Sequence, residues 1–147
     1  MPKATVSLLP PRKKTVEAVS FRLPGHDAEM TIHLRVPTHP ELMRVLEERD
    51  TRAEEWCGAG KHWFPSATGQ PFPVTRTILA VAMLILHQQC APDGSALAAE
   101  DSYTDAELID LCGSSFEFLS PFLDKFNGYL SVLEPDPKNS SAGGADS

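Results

Sequence analysis

Nine consecutive residues, Ile78–Leu86, carry no polar side chain, and this run limits the possible fold more than any other feature. A helix that is apolar on every side has to be enclosed by other elements. Thr75 stands before the run as an N-capping residue type, and Ala91-Pro92-Asp93-Gly94 follows it as a stop. A bilayer-spanning helix needs roughly 20 apolar residues, so the sequence predicts a buried central helix over about 76–90 and no membrane partner.

The segments before it supply strands and a first covering helix. In Ala28–Val36, Met30, Ile32, Leu34 and Val36 alternate with Glu29, Thr31, His33 and Arg35, the pattern of a half-buried strand. Thr15–Arg22 alternates too, with Val16, Ala18 and Ser20 opposite Glu17, Val19 and Phe21. Leu23-Pro24-Gly25-His26-Asp27 between them reads as a turn, so residues 15–36 form an antiparallel hairpin. A lone hairpin is marginal in water, so its apolar face must rest on helices.

Thr38-His39-Pro40-Glu41 joins a capping box to an early proline. It starts a helix over about 39–57 that carries Leu42, Val45, Leu46, Ala53, Trp56 and Cys57 and stops at Gly58-Ala59-Gly60. Its middle, Glu47–Arg52, is wholly polar, and a kink or break is expected there. Lys61–Pro73 is a long aromatic connection, either a functional loop or a lid packed on the core. Thr104-Asp105-Ala106-Glu107 repeats the capping box and opens a helix over about 105–119. Ser120-Pro121 then restarts a helix over about 121–133, with Phe122, Leu123, Phe126, Tyr129, Leu130 and Leu133 as its apolar stripe.

The expected fold class is therefore α+β, mainly α: an N-terminal antiparallel β-hairpin packed on a bundle of about four helices, with flexible termini. One globular domain spans 15–133. Residues 1–14 hold Lys3, Arg12, Lys13 and Lys14 and no acid, and read as a basic extended arm in which Thr5–Leu9 can add a short edge strand. Residues 134–147, rich in Pro, Ser and Gly, read as a disordered tail.

Charge is divided unevenly. Residues 1–76 carry eleven Lys/Arg against nine Asp/Glu, whereas residues 77–147 carry two against eleven, and no Lys or Arg occurs from Thr77 to Asp124. Such a block repels nucleic acid, whose binding needs clustered cations. It attracts a basic surface on another protein or the basic arm of a neighbouring copy. Asp101, Asp105, Glu107 and Asp110, together with Trp63 and Phe64 of the aromatic connection, are the candidate partner-binding residues.

Three cysteines are too few for a disulfide framework, and Met-Pro-Lys-Ala begins the chain without a signal-peptide pattern. A cytoplasmic location follows as an expectation. Cys57 and His62 at C-x4-H, with His87 and Cys90 at H-x2-C, compose a candidate tetrahedral zinc set. Helical i, i+3 geometry places His87 and Cys90 on one face, and a metal held there would staple the aromatic connection. The alternative to a binding factor is thus a small zinc-stapled regulatory or binding domain. Nucleophile-elbow, zinc-protease and phosphate-loop motifs are all missing, so the expectation is no enzyme and no cofactor. An enzyme would instead show a deep pocket lined by His33, His39 or His62.

The order of parts resembles the tail assembly chaperones of long-tailed bacteriophages. The likeness rests on the hairpin Val16–Val36 leading into Pro37-Thr38-His39-Pro40-Glu41, and on the stretch from Lys61-His62-Trp63-Phe64-Pro65 to Pro71-Phe72-Pro73-Val74-Thr75 before an apolar helix. It includes later helices ending in Asn127-Gly128-Tyr129-Leu130 and a short Pro/Ser/Gly tail. It covers about residues 15–135. The resemblance implies an α-rich factor for virion assembly that binds the helical tape measure protein in the host cytoplasm, with no catalysis and no cofactor; self-association is a further expectation, from the basic arm and the acidic half. It also implies that a longer form made by ribosomal frameshifting can exist.

Overall fold

The computed structural model describes residues 15–23, 25–58, 63–67 and 70–133, with Cys57 and Leu133 described by their backbone alone. The basic arm and the tail lie outside these residues, as do Lys61 and His62.

The hairpin forms as the alternation predicts. Strands β1 (Val16–Phe21) and β2 (Met30–Arg35) pair antiparallel, with Val16 opposite Arg35 and Phe21 opposite Met30. Gly25 takes a φ of +80° in the turn, where His26 N donates to Leu23 O at 3.0 Å. A glycine adopts that conformation without a Cβ penalty. Val19, Phe21, Ile32 and Leu34 face the core, while Met30 and Val36, on the same face of the alternation, lie at its margins.

Helix α1 (His39–Gly58) starts at the predicted capping box. Thr38 N donates to Glu41 Oε1 at 2.9 Å, and Glu41 N donates back to Thr38 Oγ1 at 3.3 Å. The helix runs unbroken through Glu47–Arg52, contrary to the expected kink. Those charges are engaged across the fold: Glu48 accepts from Arg52 Nη2 (3.2 Å) and pairs with His87 Nε2 (2.6 Å). Arg52 also reaches Asp105 (3.0 Å), and Asp50 pairs with Arg49 and Arg76. The polar turns thus face the ends of two other helices.

The aromatic connection holds structure that periodicity did not suggest. Strands β3 (Trp63–Phe64) and β4 (Phe72–Pro73) form a two-stranded antiparallel ribbon, with Trp63 opposite Pro73 and Phe64 opposite Phe72.

Helix α2 (Arg76–Gln88), capped by Thr75, which accepts from Ile78 N at 3.2 Å, is the enclosed central element. Ile78 through Ile85 are all buried, and α2 touches every other helix and β2. It ends two residues before the predicted Cys90. Gln89 turns extended, and Gln89–Cys90 become strand β5, which pairs with Leu34 and His33 of β2 in a sheet ordered β1-β2-β5. Edge hydrogen bonds offered by β2 outweigh another turn of helix.

After a 3-10 turn (Ala99–Asp101), α3 (Asp105–Ser114) begins with the predicted second capping box. The break that follows is at Ser115, not Ser120. Ser115 Oγ accepts from Phe118 N at 3.2 Å and caps α4 (Phe116–Leu133). Pro121 lies inside α4. It removes only the amide that would donate to Glu117 O, and Glu117 faces solvent. Phe118, Phe122 and Phe126 form the buried stripe. Phe21 of the hairpin meets Phe118 edge-on at 4.8 Å and Phe122 at 5.7 Å, contacts worth about 0.5–1.5 kcal/mol each beyond burial. The mainly helical α+β architecture is thus the expected one.

Candidate functional site

The six candidate partner-binding residues divide into groups with different surroundings. On the β3–β4 ribbon, cross-strand neighbours share a face. Phe64 and Phe72 point inward, and Phe64 is stacked between Trp56 of α1 (5.7 Å) and Phe72 (5.3 Å). Trp63 and Pro73 take the opposite face, and Trp63 is 61% exposed. One ring is therefore an anchor and its sequence neighbour an outward platform.

Two further contacts fix the ribbon to α3. Asp110, buried on α3, accepts from Ser66 Oγ at 2.6 Å and Ala67 N at 3.0 Å. The ring of Phe72 lies directly on Gly113, so a Cβ there would stand 1.9 Å from Phe72 Cε1. Sequence patterning singled out neither Gly113 nor the Trp63/Pro73 pairing. The signal available was Trp63-Phe64 on one side of Gly69 and Phe72 on the other, the layout of a short hairpin.

The acidic residues are largely engaged within the fold. Asp105 pairs with Arg52, Glu107 closes its capping box with Thr104 N at 2.9 Å, and Asp110 holds the ribbon. Asp101 is exposed, and its carboxylate has neither a hydrogen bond nor an ion pair among the described residues.

The candidate zinc set is not brought together by the described residues. His62 and the Cys57 side chain lie outside them. His87 and Cys90 do not share a helical face, because α2 ends at Gln88. The His87 imidazole is held by Glu48, and Cys90 is buried in β5, where burial pushes its thiol up. No group of three or more His, Cys, Asp or Glu side chains among the described residues is arranged to hold a metal ion.

Two of the histidines named as possible pocket walls do line hollows. His39, with Leu42, Tyr129 and Val132, borders an open, mostly apolar groove of about 290 Å³. His33, with Cys90, Asp101 and Tyr103, borders a small one of about 130 Å³. His33 and Cys90 also stand opposite each other in the β2–β5 pairing.

No protein-family model, curated protein or solved structure matches this chain. The site is therefore defined by its own geometry. It consists of an outward indole on a ribbon that stacked rings, a buried carboxylate and a glycine contact hold against the helices. No helix among the described residues is long and apolar enough to cross a membrane.

Proposed function

We propose that this chain is a non-enzymatic protein-binding and assembly factor, and within that class a phage tail assembly chaperone that engages a tape measure protein in the host cytoplasm. The observation that carries the binding reading is Trp63. A large indole left 61% exposed on an anchored ribbon is the residue type that dominates binding energy at protein interfaces. The net charge of −7 and the stretch 77–124 without Lys or Arg favour a partner with a basic or helical surface over nucleic acid. The order of hairpin, aromatic connection and helices supports the chaperone reading.

Co-expression with a tape measure polypeptide encoded beside it tests this reading. A tape measure complex that survives purification, weakens with salt and is lost in Trp63→Ala supports it. Failure of the two chains to associate removes the chaperone assignment. Retention of the complex by Trp63→Ala removes the ribbon as its binding surface.

A further inference from the structure

The three-stranded sheet has two edges of unequal length. At one, β5 is two residues long; at the other, β1 is six. One hydrogen bond fixes the direction of every β1 amide. Val36 N donates to Thr15 O at 2.8 Å, and these residues stand opposite each other, one step beyond the Val16–Arg35 pair. Antiparallel partners alternate between pairs that exchange hydrogen bonds and pairs that do not. Glu17, Val19 and Phe21 therefore bond toward β2, while Val16, Ala18 and Ser20 aim their N–H and C=O groups away from it. No strand among the described residues receives those groups, and Ala18 and Ser20 are exposed.

Proteins guard such an edge with a lysine, a proline, a bulge or a projecting charge. β1 contains neither Lys nor Pro and pairs with β2 without a bulge over all six residues. Its one charge, Glu17, is drawn onto α4, where Tyr129 and Lys125 hold the carboxylate.

We propose that the β1 edge pairs antiparallel with β1 of a second copy, joining the two sheets across a two-fold axis. The outward groups fall on even-numbered residues, so the strands must meet even to even. Charge and proline then select the register, since like charges directly opposite are destabilising. With Glu17 on the axis, the two Glu17 carboxylates stand opposite. With Ala18 on it, Arg22 meets Lys14 of the other copy. With Ser20 on it, Val16 faces Pro24, which has no N–H to offer. With Val19 on it, Ala18 faces Ser20, Glu17 faces Phe21 and Arg22 faces Val16, and no like charges meet. Ala18 and Ser20 are small and uncharged, so they let the two backbones approach and form about four hydrogen bonds. An interface of this size is weak, with an expected Kd of about 0.1 mM.

Backbone hydrogen exchange, followed residue by residue by NMR, tests this without any tape measure protein, so its outcome is independent of that reading. Raising the protein from about 10 μM to about 1 mM is expected to slow the Ala18 and Ser20 amides about fourfold, while Glu17, Val19 and Phe21 stay slow at both concentrations. Ala18→Pro should abolish the concentration dependence at Ser20, because proline is tolerated on a free edge but offers no outward N–H. Ala18→Lys/Ser20→Lys should abolish self-association in sedimentation by setting like charges opposite each other. Circular dichroism verifies the fold of each, and either one alone suffices. Ala18 and Ser20 amides that exchange equally fast at both concentrations overturn the proposal. So do amides equally protected at both, which places their cover within one molecule, or self-association that a folded variant retains.

Discussion

The phenol of Tyr129, near the end of α4, donates to Glu17 Oε1 of β1 at 2.5 Å, across 112 residues of sequence. Lys125, one turn earlier, approaches the same carboxylate at 3.4 Å. The hairpin is therefore tied to α4 at two places, by this polar clasp and by Phe21 among the Phe118 and Phe122 rings.

Tyr129 makes stability fall in alkali. Burial first, and Glu17 second, push its ionisation well above the ordinary tyrosine value. An unfolded tyrosine titrates near pH 10. The stabilisation is fully present below about pH 10 and is lost as pH rises further, because the unfolded chain releases the proton first. Urea denaturation from about pH 8 to 11 is expected to show this decline, and Tyr129→Phe should flatten it while costing about 1 kcal/mol at neutral pH for the lost hydrogen bond.

Gly113→Ala is expected to destabilise. Alanine in a helix interior normally gains about 1 kcal/mol over glycine. Here its methyl would overlap the Phe72 ring, and overpacking of this kind costs about 1–3 kcal/mol. The steric term wins in the wild-type background. In Phe72→Ala the sign should reverse, and a double-mutant cycle by chemical denaturation measures the coupling.

Trp63 and Phe64 separate binding from stability. Trp63→Ala should leave the thermal midpoint within about 2 °C, the usual range for an exposed site. Phe64→Ala should remove about 2–4 kcal/mol, because it empties the stack between Trp56 and Phe72. Equal destabilisation by both changes would contradict the two-faced ribbon.

The Thr38 cap produces an acid-sensitive contribution. Glu41 is held below the ordinary carboxylate range, first by the Thr38 amide and also by Arg35. Its stabilisation is present above about pH 4.3 and is lost as pH falls below that value. Thr38→Ala should cost about 1 kcal/mol at neutral pH, and Glu41→Gln should reduce the loss between about pH 5 and 3, both read by urea titration.

The elements written into local chemistry were legible. Capping boxes at Thr38 and Thr104, the Thr75 cap and the alternation in β1 and β2 each depend on a few adjacent residues, and each forms where the sequence places it. The misread positions depend on distant partners. Glu47–Arg52 stays helical because its charges meet Asp105, Arg76 and His87. Residues 89–90 leave the helix because β2 offers an edge. Ser115 outcompetes Ser120-Pro121 as a cap because Phe118 must turn inward toward Phe21. For the candidate site, aromatic content marked Lys61–Pro73 as unusual. Which ring points outward is decided by the pairing of Phe64 with Phe72, a relation that no single-residue pattern encodes.

The close seat of Phe72 on Gly113 bears on how Trp63 would meet a partner. A recognition residue on a wandering loop loses much of its interaction energy to immobilisation, about 0.5–1.5 kcal/mol for each side chain that must be ordered. Phe72 rests on helix backbone, and Asp110 holds the start of the loop. The ribbon under Trp63 is thereby preorganised. What the fold gives up in tolerance at residue 113, where only hydrogen fits, it recovers as a contact point already in place when a partner arrives.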